Sequence, residues 1–266
     1  MSKVFLTGAS SGIGLATAKA LVERGHEVWG TSRDPGRLPA LARLHPIRLD
    51  LGDRLSVTEA WEMAANEAEG IDVLINNAGS GHFSPAETLE DELRRQFQIV
   101  FFAHVQLCQL ALRLMQSQGH GLIINTTSLA SRLPVPFMAG YNSAKAAMAS
   151  FTLTLQLELG ESLVKLVDLQ PADIRTAFND VISTSEETRT NHQSRLGKAW
   201  QIVDRNLKKA PKPSLVAERI VKLLEDRNPP PRITVGDTFQ TIIAPMLYSL
   251  LPSRARVWSV RRYYGI

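Results

Sequence analysis

The 266-residue chain carries a single cysteine, Cys108, which rules out an internal disulfide and argues against a cysteine-built zinc cluster. A reducing, cytoplasmic setting is therefore expected, no metal site is expected, and Cys108 reads as a small core hydrophobe. Long apolar runs are also lacking. No stretch of 18 or more residues escapes a polar interruption, so no membrane-spanning helix is expected. The apolar start Lys3-Val-Phe-Leu-Thr7 is cut at once by Gly8-Ala-Ser-Ser-Gly12, so it reads as a strand entering a turn and not as a signal peptide. Neither sign of charge dominates: 30 Lys and Arg face 26 Asp and Glu. Arg254, Arg256, Arg261 and Arg262 alone equal the surplus of four, which leaves a balanced body and speaks against a nucleic-acid partner. Internal repeats and low-complexity linkers are absent, so residues 1–266 read as one domain. What is present, 44% hydrophobic and 21% charged residues, suits a globular chain and not a disordered one.

Short apolar runs without alternation fall at 4–6, 28–31, 46–49, 73–75, 122–124, 166–169 and 232–235. Such runs suit strands buried on both faces. Between them, Ile13, Ala16, Ala20 and Leu21 recur at helical spacing, and 55–68, 89–118 and 141–159 carry helical patterns. Strand–helix alternation with right-handed crossovers predicts an α/β fold. Its core is a doubly wound parallel sheet of about seven strands with helices on both faces, and ligands bind beyond the carboxyl ends of the strands. Residues 177–210 are polar with few apolar anchors and read as a mobile or helical lid, within a substrate-lid region of about 177–226. Asn228-Pro-Pro-Pro231 reads as a stiff connector before the last strand.

The first strand runs into Thr7-Gly8-Ala9-Ser10-Ser11-Gly12-Ile13-Gly14. Glycines there permit a tight turn, and the helix that follows offers N–H groups and a positive dipole end to a pyrophosphate. After the second strand the chain reads Thr31-Ser32-Arg33, where an NAD site usually presents an acid to the ribose. A guanidinium at Arg33 suits a 2′-phosphate, which favours NADP(H) over NAD(H). Farther on, Tyr141 and Lys145 stand four residues apart on a helical pattern and so share one face. An ammonium beside a phenol favours phenolate, which is expected to bring the Tyr141 pKa down towards a useful range.

These pieces, with Asp50, Asn76-Asn-Ala-Gly79, Ser128 and Tyr141-Asn-Ser-Ala-Lys145 in order, resemble the short-chain dehydrogenase/reductases over nearly the whole chain. The turn spacing resembles the standard-length type of that family and not the extended epimerase type. The resemblance implies a Rossmann-like fold and hydride transfer between a nicotinamide and a carbonyl or alcohol. It assigns proton exchange with the substrate oxygen to Tyr141. Lys145 would lower the tyrosine pKa and bind the nicotinamide ribose, and Ser128 would hydrogen-bond the substrate oxygen. The cofactor would lie along Gly8, Ser10, Ser11, Gly12, Ile13 and Gly14, then Arg33, Asp50 and Leu51, then Asn77, Ala78 and Gly79. Pro171, Ile174 and Thr176 of Pro171-Ala-Asp-Ile-Arg-Thr176 would hold the carboxamide. Dimers or tetramers of one chain, built on the helices around 89–118 and 141–159, are also implied.

Two departures stand out. Ala172 replaces a usual glycine, and Val100 stands where the family reads the asparagine of its catalytic tetrad. Valine can neither donate nor accept, so a second reading is open: a nucleotide-binding regulator or scaffold with an impaired site. His104, at i+4 from Val100, is better placed than Gln98 to substitute, although a satisfied buried histidine is the plainer reading. His82 reads as a polar loop residue near the substrate mouth. The tail of about 237–266 mixes Thr241-Ile-Ile-Ala-Pro-Met-Leu-Tyr-Ser-Leu-Leu251 with arginines, and Pro245 and Pro252 break it. It is read as a lid or subunit contact in preference to a membrane-surface segment. The expected function is an NADP(H)-dependent oxidoreductase for a bulky apolar carbonyl or alcohol of lipid-, steroid- or retinoid-like type.

Overall fold

Residues 1–176 and 182–266 are described by a computed structural model. Seven strands form one sheet: β1 (Lys3–Leu6), β2 (Glu27–Ser32), β3 (Leu44–Arg48), β4 (Val73–Asn76), β6 (Gly121–Thr126), β7 (Val164–Pro171) and β9 (Arg232–Val235). Their order is β3-β2-β1-β4-β6-β7-β9, and every pairing is parallel. Phe5 of β1 sits between Trp29 of β2 and Leu74 of β4. Val4, Phe5 and Leu6 have no exposed surface, because helices cover both faces of the central strands. The strand order reverses between β1 and β4, which opens a crevice at their carboxyl ends. A separate pair, β5 (Gly81–His82) and β8 (Ile182–Ser183), was too short to read from the sequence.

Helices α2 (Arg54–Ala68), α4 (Ala103–Gln118) and α5 (Ala139–Leu159) cover one face, where Val57, Trp61, Leu107, Met115 and Met148 join one core. Helix α1 (Gly12–Glu23) and α8 (Ser214–Glu225) cover the other with Ala18, Leu21, Val216, Ile220 and Val221. This corrects the sequence reading of the lid: its last stretch, α8, is a core helix. Its periodic apolar residues pack towards α1 and the sheet.

Helix α3 (Glu90–Phe97) continues through a π-helical segment, Gln98–Phe102, into α4. The 29-residue run Glu90–Gln118 is long and apolar enough, by length and composition, to cross a membrane, contrary to the sequence expectation. Its glutamines interrupt the run without lowering its average far enough. In the fold, one side of it buries Val100, Ala103, Leu107, Cys108, Ala111 and Met115, which accounts for the apolar character.

Residues 177–181, the start of the expected lid, lie outside the described residues. Beyond them, α6 (Glu186–Thr190) and α7 (Arg195–Lys209) are helical and better anchored than the polar composition suggested. Ala199, Trp200, Val203 and Leu207 of α7 pack with Phe83, Met138 and Ile182. The Trp200 ring meets Phe83 edge-on at 5.2 Å. Helices α9 (Ala244–Leu250) and α10 (Ser253–Tyr264) complete the chain.

Candidate active site

The glycine turn is built by close approach. A Cβ on Gly14 would lie 2.1 Å from the Gly8 carbonyl oxygen, and one on Gly8 would lie 2.9 Å from the Ala78 Cβ. Gly8 (φ +71°) and Gly12 (φ +54°) also adopt backbone conformations that side chains disfavour. Thr7 pins this turn to the end of β4. Its Oγ1 accepts from the Asn77 and Ala78 N–H groups at 2.8 and 2.9 Å, while Asn77 Nδ2 donates to the Thr7 carbonyl at 2.9 Å. Ser11 makes no side-chain cap on α1, and the first turn of α1 carries no acid. Its leading N–H groups thus face the crevice, a fit for a pyrophosphate.

The crevice opens into a cavity of about 1110 Å³, more than the roughly 300–1,000 Å³ of a pocket for one small ligand. Gly8, Ser10, Ser11, Gly12, Ile13 and Gly14 line it. So do Arg33, Asp50, Leu51, Asn77, Ala78, Gly79, Ser128, Tyr141, Lys145, Pro171, Ile174 and Thr176. Every site residue expected from the sequence therefore borders one space. Thr176 stands over the glycine turn: a Cβ on Gly12 would meet its Cβ at 3.3 Å. Ala172 is accommodated by Gly236, where an added Cβ would lie 2.6 Å from the alanine methyl. Arg37, which the sequence reading missed, lines the same cavity as Arg33. Asp34 and Pro35 open the short turn that brings it back.

Ser128 begins a tight turn after β6, and its Oγ accepts from the Ala130 N–H at 3.1 Å. It also hydrogen-bonds the Tyr141 phenol. Lys145 is 3% exposed, donates from Nζ to the Thr126 carbonyl at 2.7 Å, and lies 5.9 Å from the Tyr141 ring centroid. Burial brings the Lys145 ammonium down to about 8, and the Asp168 carboxylate acts in the other direction. Asp168 is itself buried; it accepts from Thr127, from Gln170 Nε2 at 2.7 Å and from Arg232 Nε at 2.8 Å.

One electrostatic expectation is corrected here. The Tyr141 pKa is raised above 10.0, because burial outweighs the Ser128 hydrogen bond and the Asp173 carboxylate adds to the rise. Lys145 does not offset this, since its ammonium is turned to Thr126 and is itself desolvated.

Val100 is fully buried in the π-helical segment. Gln98 is not its substitute, because Gln98 Nε2 donates to the Leu51 carbonyl at 3.2 Å. His104 is 1% exposed, with Nδ1 at 3.2 Å from the Val100 carbonyl oxygen and Nε2 without a hydrogen-bond partner among the described residues. Burial, with the nearby Lys145 charge, lowers its pKa to about 3, so the ring is neutral. A neutral ring that donates from Nδ1 keeps an acceptor lone pair on Nε2. Asn76 lies beside it: Nδ2 contacts the His104 carbonyl at 3.4 Å and the Asn125 Oδ1 at 2.9 Å.

Cys108 is buried among these groups, and its thiol is pushed up to about 12 by burial. His82 is taken up by Ser183 Oγ at 2.7 Å and is not among the cavity-lining residues. The C-terminal tail reaches the cavity through Leu247, Tyr248, Leu251, Val260, Tyr263 and Tyr264. Its other side exposes Ile242, Met246, Leu250, Val257 and Trp258.

A glycine turn at the switch point of a parallel sheet, facing a serine, a tyrosine and a lysine, defines a nucleotide-binding oxidoreductase of Rossmann type. The family pattern described as short chain dehydrogenase matches residues 2–187, and the chain belongs to that family. A 3-ketodihydrosphingosine reductase from Bacteroides thetaiotaomicron is 32% identical over 266 residues, covering 99% of this chain and 98% of that protein. The pig protein named Carbonyl reductase [NADPH] 2 is 31% identical over 191 residues, 70% of this chain and 77% of its own length. Among solved structures, a short-chain dehydrogenase from Streptomyces avermitilis superposes with a TM-score of 0.80 at 27% identity, covering 98% of this chain and 96% of the other. The resemblance read from the motifs is borne out for family and fold.

Proposed function

We propose that the protein reduces a bulky apolar ketone or aldehyde with NADPH, or runs the reverse oxidation. The observation that carries this reading is the convergence of Ser128, Tyr141 and Lys145 on the same cavity as the glycine turn. When bound, the dinucleotide supplies the hydride. Ser128 and Tyr141 hydrogen-bond the carbonyl oxygen as negative charge grows on it, and Tyr141 passes its proton to that oxygen. Lys145, 5.9 Å from the Tyr141 ring centroid, stands behind the phenol as the charged donor from which the transferred proton is replaced.

His104 is the relay group that stands in for the asparagine replaced by Val100. Its Nε2 is buried, unpartnered among the described residues and near enough to Lys145 to feel its charge, so it offers an acceptor for a proton moving behind the lysine. NADP(H) is favoured over NAD(H) because Arg33 and Arg37 both line this cavity. The lipid-like substrate class is supported by Leu129, Leu133, Val135, Met138 and Leu247 in the lining, and by the name of the Bacteroides relative. Exposed Phe102, in the π-helical segment leading into α4, and Leu153 and Leu157 of α5 support an assembly of like chains through that side of the molecule.

The test is a panel of apolar ketones with NADPH and with NADH, followed by nicotinamide absorbance. Turnover with NADPH supports the reading. Tight NADPH binding with no turnover on any member, and none after Val100→Asn, would instead favour the regulator.

A further inference from the structure

Asp173 is a charged residue for which hydride transfer has no use. It follows Ala172 on the loop leaving β7 and lines the cavity together with Ser128, Tyr141 and Tyr264. One amide grips it from both sides: Gln240 Nε2 donates to Asp173 Oδ2 at 2.6 Å, and the Asp173 N–H donates to Gln240 Oε1 at 3.2 Å. Gln240 itself sits in a π-helical segment, Phe239–Ile243, so the carboxylate is clamped by the tail. Among the described residues, no Lys, Arg or His forms an ion pair with Asp173. The neighbouring charge that acts on it is Asp237, of the same sign.

The position is unfavourable twice over. A carboxylate facing an apolar cavity loses hydration that a single amide does not replace, and burial raises its pKa accordingly. Its field also pushes up the Tyr141 and Tyr264 phenols. Beside Tyr141 that field opposes loss of the phenolic proton and repels the alkoxide that reduction creates. A neutral hydroxyl or amide on the substrate could donate to the carboxylate and ease the first penalty, but would leave its charge, and so its field, in place. A cation removes both.

We propose that Asp173 receives a protonated amine carried by the substrate within a bond or two of its reacting carbonyl, so that the substrate class is a long-chain amino ketone. This rests on the carbonyl-reduction reading above and names the substrate of that same site. The ammonium completes an ion pair with Asp173, orients the carbonyl towards Ser128 and Tyr141, and cancels the field that holds the Tyr141 proton on. Asp173 is thus a specificity-determining residue, and an apolar ketone of equal length is the poorer substrate.

The experiment compares a long-chain 2-amino ketone with its des-amino analogue, using NADPH, in wild type, D173N and D173E. The ratio of kcat/KM for amino over des-amino ketone is expected to fall by about 30-fold or more in D173N, with partial return in D173E. An unchanged ratio in D173N overturns the proposal. So does a variant whose main defect is weaker NADP⁺ affinity, since the carboxylate would then serve the oxidised nicotinamide.

Calorimetry supplies a readout independent of turnover, through binding of a long-chain primary amine and the alcohol of equal length. The amine is expected to bind about tenfold tighter or better in wild type, and D173N is expected to lose that preference. If no ketone is reduced at all, the carbonyl reading fails while this arm still decides. Equal binding of amine and alcohol overturns the subsite.

Discussion

His104 gives a prediction whose size follows from its burial. The ring is 1% exposed and its pKa falls from 6.5 to about 3, chiefly through desolvation. In the unfolded chain the imidazole titrates at its ordinary value. Between about pH 6.5 and pH 3 the unfolded chain therefore binds a proton that the folded chain refuses. Stability rises with pH across this window and falls as pH drops through it. At about pH 4.5 the penalty is roughly 2–3 kcal/mol, and at about pH 7 it is near zero. Urea denaturation at these two values, for wild type and His104→Gln, isolates the contribution. Other acid-sensitive groups act in both proteins and cancel in the difference. Wild type is expected to lose roughly 2–3 kcal/mol more on acidification than the variant. Equal losses would refute a buried neutral ring, and with it the free Nε2 acceptor behind Lys145.

Three further perturbations probe other parts of the site. Gly14→Ala places a methyl 2.1 Å from the Gly8 carbonyl oxygen, against backbone that cannot yield cheaply, so NADPH affinity measured by fluorescence titration should fall by about 100-fold or more. Replacing both Arg33 and Arg37 with Glu should shift the kcat/KM ratio from NADPH towards NADH by about 100-fold, through lost phosphate pairing and added repulsion. Lys145 is charged below about 8, so the rate of reduction should fall as pH rises through that value. Between about 8 and 10.5 the unfolded chain keeps a proton that the folded chain has lost, so Lys145→Met should remove a rise in stability of at most about 3 kcal/mol across that window.

Much of this site was readable because backbone and packing demands are written in residue type. Apolar runs such as 4–6 suit strands covered on both faces, and a Cβ on Gly14 would meet the Gly8 carbonyl. The i, i+4 spacing placed Tyr141 and Lys145 together without any coordinates. What escaped notice depends on how distant segments meet. Asp168 looked like one polar residue in a strand, and the buried cluster it forms with Thr127, Gln170 and Arg232 emerges only when those segments meet. Arg37 depends on the turn after Asp34, and Asp173 depends on Gln240, 67 residues away. The sign of the Tyr141 shift was missed because neighbour charge is visible in a sequence and desolvation is not. Helix α8 was assigned to the lid because its apolar face has meaning only against α1.

Tyr141 as proton donor is tested most directly by Tyr141→Phe, assayed for ketone reduction and, separately, for NADPH affinity. The hydroxyl is deleted and the ring stays. Turnover is expected to fall by about 100-fold or more while NADPH affinity stays within about threefold. Reduction at the parental rate would contradict the assignment of Tyr141, and with it the reading of this cavity as a carbonyl-reducing site.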